Sequence, residues 1–522
     1  MLPVVRRLPR LIAAVCMATT AALACASPTV PLLKRPDNTT LPTLGDTARE
    51  DLSPIVERKL GEEIMNDIKR DHDYLDDDPI LEYLNNFGSA LVTAAPGARG
   101  ETNADYFFFA VRDPMLNAFA LPGGFIAVHS ALLIAAQNES ELASVMSHEI
   151  GHVAQRHIAR MLGQQRQDAL LPLAALILAA LAAKASPDAA MGVLMGGQGL
   201  AIQRQLSFGR DAEREADRVG FQIMGAAGYD TSGMVSFFKR LQTSTRLYGE
   251  LPAYLSSHPL TSERIVDIQA RIRETPHKPH ADNIEFQLVR ARARVLQDST
   301  TQGRAEARGA FESQLNSPSR QLQVAANYGL AFLALQQGEL DKAQSWLDKA
   351  RAATHPRPGV LSAAPTGSDG EAMLTGLAIE IKLAPGQSQA VLQQAGKEAG
   401  QANQRFPLSR GIARQYADAM IAAGQYDDAA RFLRDQVQQY REEPKLYDKL
   451  AKAYSAQGKI ALQHMSLAES YALSGALPAA VDQLNLARKA KDVSFYDQAV
   501  IDARERELQK RQKDEKEDAK KK

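Results

Sequence analysis

Residues 147–158, SHEIGHVAQRHI, gather three of the chain's ten histidines around one glutamate. His148 and His152 are four apart, so on a helix they share a face and can aim imidazole nitrogens at one cation about 2 Å away. Glu149 follows the first histidine directly, near that cation but angled off it, where a carboxylate can hold and deprotonate water. The H-E-x-x-H spacing therefore predicts hydrolysis by a metal-activated water, with Glu149 as general base and one Zn2+ per chain. His157 lies five residues beyond His152, which turns it off the metal face, so a packing or surface role is expected.

Two histidines need a third protein ligand. The stretch SFGRDAEREADRVGFQIM (207–224) offers one on a second helix, where Glu213 and Asp217 share a face and Ala216 leaves room for close helix packing. Glu213 would complete a set of two histidines and one glutamate with an open position for water. Asp217, one turn on, is suited to accept the spare N–H of a ligand histidine and fix its tautomer. Glu215 competes for the ligand role, and spacing alone does not exclude it.

H-E-x-x-H followed by E-x-x-A-D resembles the zinc metallopeptidases of the CAAX prenyl protease and HtpX heat-shock protease type. The resemblance extends to NAFALPGG (117–124) and to SHPLTSERI (257–265), where His258 and Arg264 hold the positions of an H-P-x-x-x-x-R motif. It implies that the first glutamate of E-x-x-A-D, Glu213 here, binds the metal. It also implies that His258 lies near the zinc, either donating a hydrogen bond to the tetrahedral oxyanion or occupying the open position and keeping the enzyme latent. Asn117, in the NAF stretch of the expected edge strand, becomes a candidate to position the peptide carbonyl, and that strand, PGGFIAV, a candidate to bind an extended polypeptide by strand addition. The exported, repeat-bearing branch of this family implies a periplasmic protease acting on unfolded or misassembled outer-membrane β-barrel proteins, with the β-barrel assembly machinery as a further partner.

The elements that must hold these residues can be read along the chain. MLPVVRRLPR, an apolar run of fourteen residues and small residues at Ala24 and Ala26 predict a signal peptide over 1–26, cleaved before Ser27. A lipoprotein would instead keep Cys25 as its acylated residue, but Ala22 stands where a large aliphatic is usual. Proline-rich 27–45 reads as a linker or arm. A helix is predicted from about Asp51 with Pro54 in its first turn, then two β-type runs, YFFFAV and FIAVHS, and then one long helix over 138–162 capped by Asn138. The strongly apolar stretch 169–186 is short for a membrane span and is expected to be a lid or core helix over the cleft, with peripheral membrane contact as the alternative.

The catalytic domain is expected over 46–275, a linker over 276–283, repeats over 284–495 and a charged, solvated helical tail over 496–522. Helix–Gly turn–helix units recur at 326–350, 413–436 and 447–470, and Gly424 and Gly458 are 34 apart, the tetratricopeptide period. Trp346 falls in a second helix, off the consensus, and 356–370 interrupts the phase. The expected fold is an α+β zincin-like metallopeptidase domain, mostly helical with a small sheet, followed by an all-α tetratricopeptide-type solenoid. Zero net charge and 6% aromatic residues argue against nucleic acid as a partner. Against the protease stands a chaperone or adaptor whose repeats do the work beside a largely closed zinc site.

Overall fold

The computed structural model describes residues 52–96, 105–164, 209–248, 253–275, 279–354 and 370–521. The expected signal peptide, the arm at 27–45, the apolar stretch at 169–186 and all but the last residue of the 356–370 interruption lie outside them. Among the described residues no helix is long and apolar enough to cross a membrane.

Helix α1 (Pro54–Ile68) starts where Ser53 Oγ accepts from the Val56 N–H and proline occupies the first turn, a position whose N–H has no helical partner anyway. Helix α2 (Asp78–Ala94) repeats the device with Asp77 as cap. Three strands follow: β1 (Phe107–Val111), β2 (Ala118–Leu121) and β3 (Phe125–His129). The order is β1-β3-β2, with β3 parallel to β1 and antiparallel to β2. This corrects the sequence reading twice. AFAL is a strand of its own, too short to show alternation, and FIAVH is the central strand, its backbone groups already paired on both sides. Strand addition at PGGFIAV is thereby excluded; β2 is the outer strand beside the helix that carries H-E-x-x-H.

Short α3 (Ser130–Ala135) leads into α4 (Glu139–Ala154), in which every residue is buried. Asn138 Oδ1 accepts from the Glu141 N–H at 2.9 Å, the cap the sequence predicts. The helix does not continue to residue 162. Arg156 takes φ 52°, a left-handed conformation costly for a side-chain-bearing residue, and α5 (His157–Gln164) sets off in a new direction. The Arg156 guanidinium is buried and donates to Leu52 O and Glu57 Oε2, so contacts around α1 hold the break in place.

Helix α6 (Arg210–Ala226) packs along α4, followed by α7 (Ser232–Tyr248), α8 (Ala253–Ser257) and α9 (Ser262–Glu274). Two glycines set the α4–α6 approach. A Cβ on Gly220 would stand 3.0 Å from His148 N, and one on Gly151 2.9 Å from Ala216 O. The backbones carrying the two halves of the candidate ligand set therefore touch, which no larger residue allows.

Beyond the sheet and its helices the chain is helical: α10 (Ile284–Gln297), α11 (Thr301–Gln314), α12 (Arg320–Gln336), α13 (Leu340–Thr354), α14 (Glu371–Leu383), α15 (Gln389–Arg405), α16 (Arg410–Ala422), α17 (Tyr426–Gln439), α18 (Pro444–Ala456), α19 (Ile460–Leu473), α20 (Leu477–Lys489) and α21 (Phe495–Lys521). Successive helices pack on each other, and Gly424 and Gly458 turn the chain at φ 80° and 72°. Phe286, Leu288 and Val289 of α10 belong to the same buried cluster as Leu132, Leu133 and Val145 around α4. Residues 280–283, in the expected linker, are docked: Glu139 Oε2 accepts from Asn283 N and lies 3.0 Å from His280 Nε2, while Glu139 N donates to Asp282 Oδ1. Farther on, buried Arg292 bonds Asp77 and Glu380, and Arg414 bonds Asp78. The first part of the tail helix is packed, with Ile501 and Leu508 buried and Arg504 paired with Glu469.

Gly220→Val places methyl groups against the His148 backbone and is expected to lower stability by about 1–3 kcal/mol through overpacking. Urea denaturation of the purified chain measures it, with Gly228→Ala, a substitution at a positive φ in open space, as a control that should leave α4 and α6 in place.

Candidate metal centre

His148, His152, Glu213 and His258 each bring one ligand atom to within 4.8 Å of all the others, and all four are buried. His148 Nε2 and His152 Nε2 are 3.0 Å apart, and Glu213 Oε2 and Oε1 lie 3.4 Å from them respectively. His258 Nδ1 stands 3.0 Å from Glu213 Oε1 and 3.4 Å from His148 Nε2. Nitrogen and carboxylate donors so arranged, enclosed and spaced for a single ion, fit zinc. Helix geometry accounts for the first three: i, i+4 on α4 and the facing turn of α6. His258 comes from the residue after α8, held by its own N–H on Tyr254 O while the Tyr254 N–H donates to Leu116 O. The Tyr254 ring, buried and 4.7 Å from the His258 ring, fixes the imidazole's plane.

Behind the donors lie their partners. His148 Nδ1 is 3.0 Å from Asp217 Oδ1. Arg264 Nε and Nη2 donate to the two oxygens of Asp217 at 2.6 and 2.7 Å, and Nη1 donates to Pro259 O and lies 2.8 Å from Glu213 Oε2. One guanidinium thus serves both acids and ties the α9 segment to α6. Glu215 does not face the donors. It points to His157 Nε2, 3.0 Å away, and accepts from Arg160 Nη2 at 2.7 Å.

His157 is neither a donor in the cluster nor a surface residue. It is buried, its Nδ1 2.7 Å from His152 Nδ1. The sequence hides this because a continuous helix turns position 157 away, and only the break at Arg156 brings it back. Its one visible trace is the third histidine of the opening motif.

Glu149 is fully buried, its Oε1 3.5 Å from His258 Nε2, and its carboxylate makes no side-chain hydrogen bond among the described residues, with the Ala120 backbone beside it. Burial raises its pKa above the ordinary glutamate value, against the pull of His258 and His148. Burial would raise Glu213 as well, but His258, His148 and His152 outweigh it and hold the carboxyl well below that range. Asp217 is likewise held down against burial, by Arg264 and His148. Against burial, Asp217 and Glu213 lift His148 to about 9, whereas burial drives His152 well below the usual histidine value. Asn117 stands just before β2. Its carbonyl accepts from the His129 N–H, and its side-chain oxygen is buried with no partner among the described residues; it makes no hydrogen bond to the four donors.

Residues 84–272 match peptidase family M48. A Vibrio cholerae protein named as a β-barrel assembly-enhancing protease is 34% identical over 62% of this chain and 66% of its own length. The β-barrel assembly-enhancing protease of Escherichia coli K12 is 30% identical over 89% of this chain and 90% of its own. The mitochondrial metalloendopeptidase OMA1 of Arabidopsis thaliana is 30% identical over 39% of each chain.

Arg264→Gln leaves Glu213 and Asp217 buried without their counter-charge and is expected to cost about 3–5 kcal/mol in the metal-free protein. Added zinc supplies positive charge to the same acids, so the loss should shrink in the zinc-loaded protein. Denaturation with and without chelator measures both. Because the depressed Asp217 carboxyl contributes fully above the unfolded aspartate pKa of about 3.9 and progressively less as pH falls through its folded value, the cost should also fade in acid.

Proposed function

The chain belongs to peptidase family M48 and is a metalloendopeptidase, and from that premise we propose that it is a periplasmic zinc protease acting on misassembled outer-membrane β-barrel proteins. His148, His152 and Glu213 would hold one zinc. When bound, the ion supplies the Lewis acidity that lets water lose a proton near neutral pH. The observation that carries the reading is Glu149: a buried carboxylate beside the donors with no side chain hydrogen-bonded to either oxygen among the described residues. It can take the proton from the attacking water and deliver it to the leaving amine, and burial brings its pKa toward the pH at which it must do both.

Substrate would lie along β2. Asn117 O accepts from His129 N, so by antiparallel alternation the backbone groups of Ala118 and Ala120 face away from β3. An extended polypeptide can add there, read through its backbone, which suits clients recognised as unfolded. Asn117 flanks that edge as the side chain to meet a substrate amide. The helices from α10 onward would act as tetratricopeptide-type repeats that recruit client or assembly machinery. That assignment is supported by the 34-residue spacing of Gly424 and Gly458, and by β-barrel assembly in the names of relatives that match nearly the whole chain.

Of the two roles open to His258, the geometry supports the cap, since Nδ1 sits among the ligand atoms. A chaperone reading with a latent zinc site draws on the same observation. Glu149→Gln separates the two readings. It should retain stoichiometric zinc while hydrolysis of an unfolded protein falls by about two to four orders of magnitude; undiminished hydrolysis by the pure variant would remove Glu149 from the mechanism. His258→Ala should keep zinc and raise basal proteolysis. A sharp fall, by about 3 kcal/mol of transition-state stabilisation, would give His258 the oxyanion role instead.

A further inference from the structure

His152 enters the donor cluster through Nε2, the atom 3.0 Å from His148 Nε2 and 3.4 Å from Glu213 Oε1. A ligating nitrogen carries no proton, so the neutral ring must be protonated at Nδ1. That N–H meets His157 Nδ1 at 2.7 Å, which must therefore accept. His157 is then protonated at Nε2, and this N–H points at Glu215 Oε2, 3.0 Å away, an oxygen that also accepts from Arg160 Nη2 at 2.7 Å. Every donor finds an acceptor in this one order; reversing it puts a proton on the ligating Nε2 of His152 and turns the His157 Nε2 lone pair toward the Glu215 carboxylate.

We propose that His157 is a positioning residue for the metal centre, fixing the tautomer and ring plane of His152 through a His152–His157–Glu215 chain that Arg160 anchors. The two histidines of H-E-x-x-H are then held differently. His148 faces the Asp217 carboxylate directly, whereas His152 reaches a carboxylate only through a neutral imidazole, a weaker acceptor. His152 is thus the less basic ligand, and its orientation depends on a neighbour that a straight helix would have carried away. The left-handed Arg156, pinned to Glu57 and Leu52 O, is what turns His157 back. Glu215, which spacing left in competition with Glu213, has a role of its own in the chain.

The inference rests on His152 being a metal ligand. The wild-type zinc stoichiometry tests that premise, and only the ratio of variant to wild-type affinity tests His157. His157→Phe keeps a ring in the space and removes the acceptor. His157→Asn can return an acceptor oxygen close to where Nδ1 stood. Zinc dissociation constants from competition with a chromophoric chelator should be weakened about 10–100-fold in His157→Phe, with most of the loss recovered in His157→Asn. Glu215→Ala, at a half-buried site, should weaken zinc in the same direction by removing the acceptor for His157. A folded His157→Phe with wild-type zinc affinity would overturn the proposal, as would an Asn variant no better than Phe. Should the Phe variant not fold, an unchanged affinity in Glu215→Ala would overturn it equally.

Discussion

A carboxylate taken out of water must be paired or it takes up a proton, and Glu149, Glu213 and Asp217 are all buried at one point of the core. Arg264 and the surrounding histidines decide how they divide. The Arg264 fork closes on both oxygens of Asp217 and reaches Glu213, which His258, His148 and His152 hold in its charged form, so these two acids act as acceptor and donor atom. Glu149 receives no such partner and keeps a raised pKa. Three acids along two helices thus acquire different chemistry from one guanidinium contributed by a third and from the imidazoles around them. The same fork joins α9 to α6 and, through Pro259 O, fixes the segment that presents His258.

The backbone meets this demand by close approach and by one break. Gly220 and Gly151 let α4 and α6 touch at the level of the donors, and the left-handed Arg156 ends α4 one turn past His152. At the opposite end of α4, buried Glu139 accepts from the Tyr83 hydroxyl and the Asn283 N–H. The helix carrying H-E-x-x-H is therefore clamped at its start by the chain entering the helical half and at its finish by residues of the first helix. With Phe286 and Leu288 in the same apolar cluster as Val145, the helices of the C-terminal half help hold the metal centre together.

Much of this was legible in the residues, and the exceptions have physical reasons. Helical periodicity alone brings His148 to His152 and sets Glu213 one turn from Asp217, and the Asn138 cap is a local hydrogen bond with a recognisable sequence form. The break at Arg156 was not legible, because no glycine or proline marks it and its left-handed backbone is held by a partner 99 residues away, Glu57. His157 is a packing residue and Glu215 lies outside the donor set, as the sequence suggests, but the contact between them follows from that break and was not legible. NAF and PGGFIAV were read as one edge strand because four residues are too few to display a period; AFAL alone is the outer strand and FIAVH is central. Residues 280–283 read as a linker because their polar side chains suggest solvent, whereas the acceptor that orders the backbone at Asn283 is Glu139, at the far end of α4 from the histidines.

The central claim is that four side chains, three of them imidazoles, converge on one zinc ion. X-ray absorption at the zinc edge of the full-length, zinc-reconstituted protein tests it most directly. The account predicts one zinc per chain in a four-coordinate nitrogen and oxygen shell at about 2.0–2.1 Å, with scattering from three imidazoles that drops to two in His258→Ala. A six-coordinate shell of oxygens, or no zinc retained at all, would contradict it.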